Sequence, residues 1–104
     1  MAASEPRALA TRGRTRTLSH AQHAIYRLAP DLLLVFKPRG HREATHAHAH
    51  RQRLQVLRGT LVVHMGRRRV TLTPTSRRLT LRAGRTHATL ALRDTWLVAE
   101  SLPA

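Results

Sequence analysis

Gly40-His41-Arg42-Glu43-Ala44-Thr45-His46-Ala47-His48-Ala49-His50-Arg51-Gln52 is the stretch on which the reading of this chain turns. Three histidines stand at the alternate positions 46, 48 and 50. In an extended strand alternate side chains share a face. His46, His48 and, with them, His50 are therefore expected to point the same way. Imidazoles two apart on a strand are placed to share one cation, and neutral imidazole is the commonest side-chain ligand for Zn, Fe, Ni and Cu. Gln52 lies four residues beyond His48, on the same face if no bulge intervenes. Taken alone, these residues also fit an edge strand that is merely rich in histidine and titrates near the ordinary imidazole value of about 6.5.

Outward from this stretch the pattern is strand after strand, from about residue 24 onward. Leu32-Leu33-Leu34-Val35-Phe36 forms a short β run within Asp31 to Lys37, stopped by Pro38 and Gly40. Gln52 to Arg58 alternates and ends at Gly59; Thr60 to Met65 comes next and turns at Gly66. Arg69 to Thr73 stops at Pro74, and Leu79 to Arg82 ends at Ala83-Gly84. His87 to Leu92 and Trp96 to Glu100 complete the set, with a turn at Arg93-Asp94. Short strands separated by turn residues predict an all-β sandwich or barrel. No alternation of strand and helix suggests a parallel doubly wound sheet.

The length of 104 residues suits one domain with one core. Residues 1–17 carry Arg7, Arg12, Arg14 and Arg16 with almost no large apolar side chain. They are expected to form a flexible basic N-terminal segment, with residues 18–104 as the β-barrel domain. Cysteine is absent, which excludes disulfides and thiolate metal sites. No apolar run approaches the roughly 20 residues needed to span a bilayer, and the N-terminus lacks the apolar core of a secretory signal. The expectation is a cytoplasmic protein with no membrane partner.

The formal net charge is +14, and eighteen of the nineteen basic residues are arginine, Lys37 being the one lysine. Such a field attracts anions of any kind. Only Tyr26, Phe36 and Trp96 are aromatic, so the stacking platforms of single-strand nucleic-acid binders are missing. No helix-turn-helix or zinc-finger spacing occurs. Nucleic acid is not the expected partner; a small anionic ligand is.

The histidine stretch and its continuation resemble the cupin superfamily. The first cupin motif runs Gly, five residues, His-x-His, three or four residues, Glu, six residues, Gly. Here Gly40, His46-Ala47-His48, Gln52 and Gly59 reproduce every spacing, with Gln52 where Glu is usual. A branch of small cupins reads His-x-His-Pro-His-Glu-Gln and then Val-Leu-x-Gly. His46-Ala47-His48-Ala49-His50-Arg51-Gln52 and Val56-Leu57-Arg58-Gly59 are similar to that branch. The second motif is matched at Gly84 and His87, while Ser76, Arg82 and Ala91 replace its Gly, Pro and Asn. The resemblance spans roughly residues 32 to 100.

The resemblance implies a double-stranded β-helix, or jelly roll, that holds one divalent transition metal ion on His46, His48, Gln52 and His87. It also implies a homodimer. Three imidazoles and an amide are neutral and leave the ion its full charge, which suits Fe, Mn, Ni, Cu or Zn without choosing among them. Similar cupins with this ligand set act on uronate sugars or other carboxylates as isomerases or lyases; others are dioxygenases, and many stand-alone cupins have no assigned activity.

No carboxylate among Glu5, Asp31, Glu43, Asp94 and Glu100 is placed beside the metal by motif. The candidates for proton transfer are thus metal-bound hydroxide, His50, His64 and Tyr26. Arg53, Arg82 and Arg85 are the candidates for holding a substrate anion. His20, His23 and His41 are expected to be exposed. A metalloenzyme acting on a small anionic carboxylate or sugar acid is thus weighed against a non-catalytic ligand-binding or sensing module.

Overall fold

A computed structural model of the chain describes residues 23–103. The basic segment 1–17 lies outside the described residues, as do residues 18–22 and 104. Among the described residues nine strands run in order: β1 Ala24–Ala29, β2 Leu32–Lys37, β3 Arg42–His46, β4 Arg51–Arg58, β5 Leu61–Met65, β6 Arg68–Leu72, β7 Leu79–Leu81, β8 His87–Ala91 and β9 Thr95–Leu102. They form two antiparallel sheets, a five-stranded one ordered β1-β2-β9-β4-β7 and a four-stranded one ordered β3-β8-β5-β6. This is the expected jelly roll. No helix among the described residues is long and apolar enough to cross a membrane.

The strand positions arise from alternation and turn chemistry. Along β4, Gln52, Leu54 and Val56 are buried, while Arg51, Leu57 and Arg58 are exposed. Along β9, Thr95, Leu97 and Ala99 are buried and their neighbours are less so. This period of two turns one face of each strand toward the other sheet. Between the sheets lie Val35, Leu54, Val56, Leu61, Val63, Leu72, Leu81, Ala91 and Leu97. The core is thus aliphatic, as three aromatics in the whole chain require.

Those three aromatics stand on the opposite face of the five-stranded sheet. Tyr26 stacks on Trp96 at 6.3 Å between ring centroids, and Phe36 meets Trp96 at 4.9 Å. Gly59 closes the β4–β5 turn with φ +97°, and a Cβ there would collide with the Asp94 carbonyl and the Thr95 hydroxyl. Thr95 is fully buried beneath it, donating to the carbonyls of Thr60 and Arg93 at 3.1 and 2.7 Å. β6, an outer strand of its sheet, carries Arg68 and Arg69 exposed, a charge pattern that discourages edge-to-edge pairing.

Candidate metal centre

β3 and β8 lie side by side, and their register brings His46 directly opposite His87. Arg42 opposes Leu90 and Glu43 opposes Thr89, but the register then shifts before the His46–His87 pair. Three steps along β3 match two along β8, so β3 carries one extra residue, a bulge. The extra residue returns His46 to the face that Glu43 already occupies. Both side chains line one cavity between the sheets.

β3 ends at His46, and residues 47–50 belong to no strand. The expected run of three histidines on one extended strand is therefore not what forms. His48 reaches the site from the connection to β4, where its carbonyl accepts a hydrogen bond from the Gly84 amide at 2.8 Å. Gly84 itself has φ +77° and sits in the β7–β8 loop. That bond ties the loop bearing His48 to the loop that leads into His87.

The ligand atoms of His46, His48 and His87 all lie within 4.8 Å of one another. The His46 and His87 rings are 4.4 Å apart, and the His48 ring stands perpendicular to His46 at 4.9 Å. The Nδ1 of His46 lies 2.8 Å from the Ala44 carbonyl, and that of His87 lies 3.0 Å from the Arg85 carbonyl. A carbonyl only accepts, so both rings donate from Nδ1. In the neutral form of each ring Nε2 then carries the lone pair a metal needs, oriented by the backbone partner typical of ligating histidines.

Burial lowers the pKa of His48, and the neighbouring His46 and His87 lower it further. Burial likewise lowers that of His87, against the bond to Arg85, which raises it. Both shifts favour the neutral, ligating form. The donor set therefore fits a divalent ion.

Gln52, 8 % exposed at the second position of β4, lines the same cavity. The cavity has a volume of about 100 Å³, and one part of its wall is aliphatic, including Ile25, Leu33, Val35, Leu54, Leu61 and Leu97.

Two charged residues inside it are not expected from the sequence. Lys37, 4 % exposed at the end of β2, donates from Nζ to Glu43 Oε1 at 3.2 Å. The same oxygen accepts from Thr89 Oγ1 at 3.5 Å and lies 3.8 Å from His46 Nε2. Burial pulls the Lys37 ammonium down, opposed by Glu43. Burial pushes Glu43 up, but Lys37 and His46 outweigh it and hold the carboxyl below its usual range.

Glu43 corrects the expectation that no carboxylate stands beside the site. Its spacing to His46 gives no hint, because only the bulge turns both inward. Lys37 is legible in principle, two residues beyond buried Val35, but the unbroken apolar run 32–36 conceals which face is which.

The other candidates fall elsewhere. His50 is exposed at the rim, its Nε2 2.9 Å from the Ser101 hydroxyl and its ring 5.6 Å from that of His48. His64 is exposed on β5, and Tyr26 belongs to the outer aromatic cluster; neither lines the cavity. Arg53 alternates with inward Gln52 and Leu54, so it faces out and grips Glu100 Oε1 at 2.6 Å. Arg82 is exposed and Arg85 half-buried in the β7–β8 loop, where the Arg85 guanidinium donates to the Met65 carbonyl at 3.4 Å.

His23 and His41, expected to be exposed, are 1 % and 3 % exposed, with ring centroids 4.3 Å apart. His20 lies outside the described residues. His41 is drawn in by its strand-end bonds: the Gly40 amide donates to the Ala91 carbonyl at 2.7 Å, and the Ala91 amide to the His41 carbonyl at 3.0 Å.

No family model matches the sequence, and no curated protein matches it. Solved structures do match the fold. KdgF from a Halomonas species superposes with a TM-score of 0.65 at 22 % identity, covering 88 % of each chain. A cupin superfamily protein from Desulfitobacterium hafniense gives a TM-score of 0.65 at 16 % identity over 96 % of this chain and 93 % of that one. An HTH_3 family transcriptional regulator from Vibrio cholerae gives 0.69 at 16 % identity, covering 98 % of this chain but 62 % of the regulator. Two antiparallel sheets in this arrangement, with a three-histidine cluster between them, define a cupin fold with a potential metal site.

Proposed function

We propose that this chain is a metal-binding cupin whose ion is held by His46, His48, His87 and Gln52, and that it is a small metalloenzyme acting on a compact carboxylate. The observation that carries the reading is the convergence of three imidazole ligand atoms within 4.8 Å at a partly aliphatic cavity. A divalent ion there supplies Lewis acidity toward carboxylate or enolate oxygen, in isomerase, lyase or dioxygenase chemistry. The aliphatic part of the wall lowers the local dielectric and strengthens the charge interactions beside it. Arg82 and Arg85, which lie outside the cavity wall on the loop tied to His48, would add to the positive field that attracts an arriving anion.

A cavity of about 100 Å³ falls well below the roughly 300–1,000 Å³ of sites that enclose drug-sized ligands. It favours a compact acid enclosed whole, and would admit only the acid end of a uronate sugar.

A second reading is a non-catalytic sensing module. The likeness of this fold to part of a transcriptional regulator supports it, and so does the absence of His50, His64 and Tyr26 from the cavity wall.

Elemental analysis of the purified protein beside a His46→Ala, His87→Ala variant tests the site. One ion per wild-type chain and none in the variant is the expected result. Equal metal content in the two refutes the ligand set. Incubation of the loaded protein with small 2-oxo and 2-hydroxy acids then separates the readings, since turnover supports the enzyme and binding alone supports the module.

A further inference from the structure

We propose that Lys37 is the second anchor of the ligand, so that this cavity selects a compact acid with two anionic groups a few bonds apart, such as a short dicarboxylate. The inference rests on the metal-site reading and names the substrate class of that site.

The chain uses arginine eighteen times and lysine once. Every described arginine is exposed or half-buried, while the one lysine is buried in the wall of the cavity that holds the three imidazoles. A bias toward arginine therefore accounts for the surface and fails at this position. A planar guanidinium is bulky and presents a fixed fork, whereas an ammonium is a compact point charge with three rotatable donors. A cavity of about 100 Å³ has room for the second kind of group.

Nζ makes one hydrogen bond among the described residues, to Glu43 Oε1. An ammonium has three donors, so its bonding capacity is only partly used by the protein. Glu43 Oε1 is itself shared with the Thr89 hydroxyl and stands near His46 Nε2. One divided carboxylate compensates a buried cation incompletely, and a ligand carboxylate completes the compensation.

Charge and reach point the same way. Three imidazoles and an amide leave a divalent ion its full charge. In formal charge Lys37 and Glu43 sum to zero, so the loaded cavity would carry the two positive charges of the ion, which a dianion matches and a monoanion does not. Nζ is 3.2 Å from Glu43 Oε1, which is 3.8 Å from His46 Nε2, so the ammonium lies within about 7 Å of the metal-facing nitrogen. A three- or four-carbon diacid spans separations up to that limit, one carboxylate on the ion and the other on Lys37.

Because Lys37 is the single lysine, protein grown with lysine labelled at Cε and Nζ gives one side-chain resonance. The Zn(II)-loaded, labelled protein is titrated with malonate and, separately, with acetate. Malonate is expected to shift the resonance saturably, and acetate at equal concentration to leave it nearly unmoved. In calorimetry, a Lys37→Met variant is expected to lose at least tenfold of its preference for malonate over acetate while still holding Zn(II) at the wild-type stoichiometry.

The proposal is overturned if malonate does not bind. It is also overturned if malonate binds without moving the Lys37 resonance, or if the variant keeps the wild-type preference. Should the variant fail to fold, the wild-type resonance decides alone. If the wild-type protein holds no Zn(II), the metal reading itself has failed and this inference falls with it; elemental analysis separates that case from the others.

Discussion

His46 and His87 stand directly opposite one another across the β3–β8 ladder, with ring centroids 4.4 Å apart. Each donates its Nδ1 proton to the carbonyl two residues before it, Ala44 and Arg85 respectively. The two rings are thereby fixed as mirror-like donors, and His48 closes the cluster from a loop. Two imidazoles on paired strands form the rigid part of the site; the third depends on the Gly84–His48 hydrogen bond.

Gln52 separates a four-ligand centre from a three-ligand one. A Gln52→Leu variant preserves size and burial but removes the amide oxygen. It is expected to weaken Zn(II) binding by roughly 10–100-fold, the range found when groups that support a metal site are lost. Competition with a chelating dye measures it. An unchanged affinity would leave the ion on the three histidines alone.

The metal-free protein is expected to lose stability as pH falls below the ordinary imidazole value of 6.5. His48 and His87 have lowered values in the fold, so the unfolded chain takes up protons first and is favoured as acid is added. Their contribution is fully present above the ordinary value. Glu43 acts in the same direction further down, because a carboxyl held below its ordinary 4.5 stabilises the fold until it is protonated. Thermal melts between pH 8 and pH 4 of protein treated with chelator would show this. A melting temperature independent of pH across that window would contradict it.

Gly59→Ala is expected to cost about 1–3 kcal/mol, the range for a non-glycine residue forced into strained backbone. Its φ of +97° is unfavourable for any side chain, and the added Cβ would press on Asp94 and Thr95. The conflict is with backbone, which cannot rotate away. Urea denaturation of the variant beside wild type measures it, and a cost below a few tenths of a kcal/mol would show that the turn can rearrange.

Leu61 is fully buried, belongs to the core between the sheets and also lines the cavity. Leu61→Ala is expected to lose about 2–5 kcal/mol, as buried leucine truncations do. It also enlarges the ligand space without touching a ligand residue. Metal content should stay at the wild-type value in the folded fraction while chemical stability drops. Loss of the metal with stability intact would place Leu61 closer to the ion than the fold indicates.

The sequence by itself pointed to most of the strands and their turns, and the resemblance carried by its two motifs suggested the grouping of His46, His48, Gln52 and His87. Alternation of apolar residues, glycine at turns and fixed spacing are properties of the local chain, readable without knowing what packs against what. Tertiary structure alone decided which way Glu43 faces, because one residue bulged against β8 reverses the parity of β3. It also buried His23 and His41, which local pattern leaves in solvent, and set Lys37 in the cavity that the three histidines line. His48 reaches the site from a loop for the same reason: strand β3 ends at His46, and a backbone bond to distant Gly84 holds the connection beyond it. Local periodicity specifies a face relative to its own strand. Which face becomes the interior, and which charges meet there, is fixed only when two sheets close over a shared core.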